Sequence, residues 1–112
     1  MIFYGKIEGF SFEKHEKDIG YNGRTGSMNY VYALVEMPLD GMTIEKKFRI
    51  DNFFHGWFNW ERITDKRIGV IKKASNEFVG KYFLFSEKEG ELKSGMFTQE
   101  LHHAAQKNVS GL

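Results

Sequence analysis

Flat rings beside cations are the one combination in this sequence whose chemistry can be stated from residue types alone. The stretch Phe53-Phe54-His55-Gly56-Trp57-Phe58-Asn59-Trp60 holds both tryptophans and three of the eleven phenylalanines, and it lies between Arg49 and Arg62. Aromatic faces stack nucleobases for about 1–3 kcal/mol each, while Lys and Arg neutralise phosphates. Tyr30 and Tyr32 share one side of a strand pattern whose other side, Val31, Ala33, Val35 and Met37, is wholly apolar. The candidate nucleic-acid contacts are therefore Tyr30, Tyr32, Trp57 and Trp60 for stacking, with Arg24, Lys47, Arg49, Arg62, Lys66 and Arg67 on the backbone. The ordinary use of such rings is to fill the core of a small β domain. Five large rings in eight residues exceed what one face of a strand or short helix can bury, so at least one is expected at the surface.

Other constellations carry less. Gly20-Tyr21-Asn22-Gly23-Arg24-Thr25-Gly26-Ser27 could wrap a phosphate with backbone amides, but it lacks the Gly-Lys-Ser/Thr ending of a nucleotide-binding loop and reads more simply as a flexible connection. Histidines 15, 55, 102 and 103 are scattered, and adjacent His102 and His103 on a helix point about 100° apart, which makes them poor joint ligands. No metal and no cofactor are expected. Serine, histidine and carboxylates are all present without any spaced catalytic signature, which argues against an enzyme and assigns no catalytic residue.

The elements that must position these groups read as mostly strand. The chain has 112 residues, one proline, twelve glycines and 16% aromatic residues, a length that fits one domain, 1–112. Ile2 to Phe12 forms a first strand in which Ile2, Tyr4 and Lys6 oppose Phe3, Gly5 and Ile7. Residues 13–28 are charged and glycine-bearing and read as a long polar loop. Asn29 to Met37 and Met42 to Ile50 form a hairpin around Pro38-Leu39-Asp40-Gly41. Asp51 or Asn52 could cap a short helix across the aromatic cluster, Arg67 to Lys72 and Phe78 to Ser86 read as strands, and Glu87-Lys88-Glu89-Gly90 turns into Leu92 to Phe97. A terminal helix covers about 98–108 with Thr98 as its cap, and its stripe of Leu101, Ala104 and Ala105 suits packing on the sheet or on another copy. The expected fold is mainly β (α+β by count): a small five- to six-stranded antiparallel barrel or strongly curved sheet, OB/SH3-like in architecture, with one C-terminal helix.

Sixteen basic against fifteen acidic residues leave a formal net charge of +1, so no global field advertises a polyanionic partner and any basic site must be local. With no cysteine there is neither a disulfide framework nor a thiolate nucleophile, which suits a reducing cytoplasm. The amino terminus has no basic leader or cleavage site, and the longest apolar windows fall far short of the roughly 20 residues that cross a bilayer. Two functions follow as expectations. One is a non-enzymatic module that binds single-stranded nucleic acid, DNA or RNA, by stacking and backbone contacts. The alternative is a protein-interaction or inhibitor module of a phage or other mobile genetic element, with exposed aromatics as interface anchors and self-association open to it.

Overall fold

The computed structural model describes residues 1–18, 25–55, 58, 60 and 62–109. Strands β1 (Ile2–Asp18), β2 (Thr25–Leu39), β3 (Met42–Arg49), β4 (Tyr82–Lys88) and β5 (Glu91–Lys93) form one antiparallel sheet in the order β3-β2-β1-β4-β5. The sheet is strongly curled into a half-barrel, as the composition leads one to expect, and its outer strands β3 and β5 approach each other without pairing. Helices α1 (Asp65–Ser75) and α2 (Gly95–Val109) pack against one another and fill the concave side.

β1 is shared between two partners, which is how the sheet curls. Its first residues pair with β4, from Ile2 opposite Ser86 to Lys6 opposite Tyr82. From Lys6 opposite Glu36 onward it pairs with β2, with a register shift between Ile7 and Gly9. At the crossing Gly5 has no room for a side chain. A Cβ there would lie 2.7 Å from the Phe3 ring and 2.7 Å from a Val35 methyl.

The predicted polar loop over 13–28 is not what forms. Both strands continue through it, pairing from Phe12 and Val31 out to Asp18 and Thr25. In a two-stranded ribbon half of the backbone groups pair across the ladder and the others face water, so charged residues are tolerated along it. A strand of 17 residues at about 3.3 Å each accounts for the 51 Å length of the molecule. The glycine-bearing tip, residues 19–24, lies outside the described residues.

The hairpin of β2 and β3 forms as read, with Leu39 opposite Met42. Asp40 and Gly41 both take positive φ, 51° and 77°, the two-residue turn whose twist matches the strands. Glu89 and Gly90 repeat it between β4 and β5, at 55° and 80°.

Three element assignments are corrected by the structure. Residues 67–72 are helical, not extended. Thr64 caps α1 by accepting from the Arg67 amide, Asp65 stands in its first turn, and Lys72 and Lys73 in its last, as the helix dipole favours. Val70, Ile71 and Ala74 are its buried stripe, at helical spacing. Next, β5 ends at Lys93 and residues 95–97 open α2 rather than extending the strand. The α2 cap is therefore Ser94, whose Oγ accepts from the Phe97 amide at 3.2 Å, and not Thr98.

Phe97 is the centre of the core. Its ring lies 5.1 to 6.4 Å from those of Phe10, Phe53, Phe78, Phe83 and Phe85, joining the arm, the aromatic segment and β4. Phe53, Phe54, Phe58 and Trp60 of the aromatic cluster pack beside it. A 3₁₀ turn over Asp51–Phe54 and a bond from the Trp60 amide to the Phe54 carbonyl fold that segment on itself, so Trp60 stacks on Phe54 at 5.9 Å and on Phe58 at 4.6 Å. An irregular compact segment can bury more rings than one face of a strand can.

Candidate functional site

Eight of the ten sequence-predicted contact residues fall among the described residues, and the sheet divides them into two groups of four. Arg24 and Trp57 lie outside the described residues. Tyr30, Tyr32, Lys47 and Arg49 stand together on the convex face of β2 and β3, because alternation places them opposite the buried Val31, Ala33 and Phe48. Trp60, Arg62, Lys66 and Arg67 gather at the start of α1, on the concave side. Asn29, one residue before Tyr30, marks the division: its amide donates inward to the Ile63 carbonyl at 2.9 Å and to Asp65 at 3.0 Å.

On the convex face the rings already carry the protein's own cations. The Arg49 guanidinium sits 3.8 Å from the centre of the Tyr30 ring, and the Lys47 ammonium 4.3 Å from that of Tyr32. Tyr30 is only 6% exposed, so a base stacking there would have to displace Arg49. Both cations are also paired with carboxylates. Arg49 donates from Nε to Asp51 at 2.9 and 3.0 Å, which raises its pKa further. Lys47 donates to Glu13, and that bond, with help from His15, holds the Glu13 carboxyl below its ordinary range. Buried Asp51 also accepts from the Val31 amide at 3.3 Å, so it ties the end of β3 to β2.

The concave group has one sealed ring and several open charges. Trp60 is 7% exposed, and the Arg67 guanidinium lies 5.0 Å from its ring while Nη1 donates to the Arg62 carbonyl at 2.6 Å. Lys66, Lys72 and Lys73 are exposed along α1. At the same end Asp65 accepts from Asn29 and Lys14, in that order of effect, and its pKa is lowered.

Among the described residues the most exposed rings stand elsewhere, on residues the sequence reading did not select. Tyr4 is 71% exposed and Tyr82 63%, and Ile2, Leu84 and Met96 are more than half exposed beside them. Tyr4 pairs directly with Leu84, and Tyr82 with Lys6, so these side chains share the outer face of the β1–β4 ladder. The signal was present in both strands. Ile2 and Tyr4 alternate with Phe3 and Gly5, and Tyr82 and Leu84 alternate with Phe83 and Phe85; the core can take only one set of each, leaving the other in water.

Two further grooves flank the seam between β3 and β5. One of about 390 Å³ is lined by Arg49, Asp51, Asn52, His55 and Glu91, and the other, about 640 Å³, by Phe53, Leu92, Ser94, Thr98 and His102. His102 is buried and its Nε2 is bonded to the Phe53 carbonyl, which fixes the ring. Among the described residues no three histidines or carboxylates converge as metal ligands, and His55 has no carboxylate within hydrogen-bond reach. No helix among them is long and apolar enough to cross a membrane.

A curled antiparallel half-barrel backed by two helices, with an apolar outer face on one pair of strands, is the class that fold and surface together define. No known protein family, curated protein or solved structure matches the chain.

Proposed function

We propose that the protein is a non-enzymatic protein-interaction module that docks through the outer face of β1 and β4. One observation carries this reading: Ile2, Tyr4, Tyr82, Leu84 and Met96 form a neighbouring set of large apolar side chains, each more than half exposed. Contiguous exposed apolar surface is disfavoured in water unless something covers it, and burying a side chain of this size contributes about 1.5–3 kcal/mol. Tyrosine is also among the residues that most often anchor interfaces. The net charge of +1 and the carboxylate pairing of Lys47 and Arg49 leave little long-range attraction for a polyanion on the convex face.

A second reading, single-stranded nucleic-acid binding, is supported by the exposed Lys66, Lys72 and Lys73 of α1 beside Arg62 and Arg67. The two readings put the contact on opposite faces. A photo-cross-linking side chain placed at position 82, and separately at position 73, distinguishes them in living cells. Position 82 is expected to give discrete protein adducts whose formation is little changed by added salt, and position 73 none. Nucleic-acid adducts at position 73, weakening steeply with salt, with no adduct at 82, would reverse the assignment.

A further inference from the structure

The outer edge of β4 is half used. Met1 and Glu87 exchange both backbone bonds at 2.8 Å, and Ile7 donates to the Lys81 carbonyl at 2.9 Å. Bonded pairs alternate along an antiparallel ladder, so Phe83, Phe85 and Glu87 turn their amides and carbonyls toward β1. Those of Tyr82, Leu84 and Ser86 point the other way. Ser86 meets Lys93 of β5. Tyr82 and Leu84 meet no strand among the described residues, because the chain leaves β5 after Lys93 and Ser94 caps α2 instead. A groove of about 630 Å³ runs along this stretch, lined by Tyr4, Tyr82, Leu84, Met96, Lys81 and Glu100.

We infer that a second copy of this chain fills the edge, β4 pairing antiparallel with β4 across a two-fold axis at Phe83. This names the occupant of the interface proposed above and rests on that reading. The phase fits without adjustment. Rotation about Phe83 puts Tyr82 opposite Leu84 of the second copy and Leu84 opposite its Tyr82, the residues on each side whose donors and acceptors point outward, so four backbone bonds form at once. The groove is lined by one cation, Lys81, and one anion, Glu100, so two copies meet with both signs on each side. Its apolar side chains then cover those of the second copy, as an isologous interface requires. Natural sheets blunt such an edge with outward charge, proline or a bulge, and Tyr82-Phe83-Leu84 has none of these.

The test is the mass of the full chain in solution, by sedimentation or light scattering, together with amide exchange at Tyr82 and Leu84. A dimer is expected, with both amides protected when the protein is concentrated and exchanging freely after dilution. Leu84→Lys and Tyr82→Lys, at exposed positions, are expected to give monomers with unchanged circular dichroism. Lys81→Glu is expected to weaken the dimer and Lys81→Glu with Glu100→Lys to restore it. A monomer at every attainable concentration, a dimer that survives both lysine substitutions, or a double variant that stays monomeric overturns the pairing. A monomeric protein whose position 82 still cross-links other proteins would sink the pairing and leave the proposed function standing; a monomer with no adduct at 82 would sink both.

Discussion

Asp51 shows what the convex-face charges do for this protein. Its carboxylate is buried, takes two bonds from the Arg49 guanidinium and one from the Val31 amide, and so fixes the cation over Tyr30. A charged hydrogen bond left half-made costs more than one never formed. Asp51→Ala should therefore cost about 1–3 kcal/mol in chemical denaturation and raise the exposure of Tyr30 to quenchers. The ring-and-cation pattern that suggests base stacking in the sequence is thus spent within the molecule at these positions. The side-chain types were legible; their mutual satisfaction was not, because Glu13 becomes the partner of Lys47 only once three strands are aligned, and Asp51, two residues from Arg49, is fixed beside it by the Val31 amide of β2.

At the scale of elements, the β1–β2 arm is tethered to the body by ion pairs at two points. Lys47 reaches Glu13 from β3, and Asp65 of α1 takes Lys14 and Asn29. Both carboxyls have pKa values lowered in the folded state, so their contribution is complete at neutral pH and is lost as the pH falls through those lowered values. Glu36 has the opposite sign. Its side chain shares a hydrogen bond with Glu8, which raises its pKa, so its ionisation opposes folding as the pH rises. Below about pH 4, amide exchange over residues 13–15 and 28–30 should accelerate ahead of that in β4, and Glu36→Gln should leave this acid response intact. Sequence patterning found the β2–β3 hairpin because one face is apolar and Asp40-Gly41 fits the turn. It missed the arm because charged residues on a ribbon resemble loop, and it missed α1 because Ile68, Val70 and Ile71 favour strands, although Thr64-Asp65 was already a helix start.

Considered whole, the molecule separates its rings by use. Those around Phe97 and Trp60 bind sheet to helices, while Tyr4 and Tyr82 remain outside. Among the described residues the most exposed rings lie on β1 and β4, while Phe53, Phe54, Phe58 and Trp60 of the aromatic segment pack on the core through contacts that no local pattern announces. The division predicts opposite responses to truncation. Phe97→Ala should destabilise the fold by about 3–5 kcal/mol, whereas Tyr82→Ser should leave its stability within about 0.5 kcal/mol and act on association alone. Hydroxyl-radical footprinting measures the claim most directly, comparing the purified protein with the same protein in its own cells. Tyr4, Tyr82 and Met96 should oxidise readily when the purified protein is diluted to the monomer and be protected in the cell, with the α1 surface unchanged; protection confined to α1, with β1 and β4 still open, would contradict it.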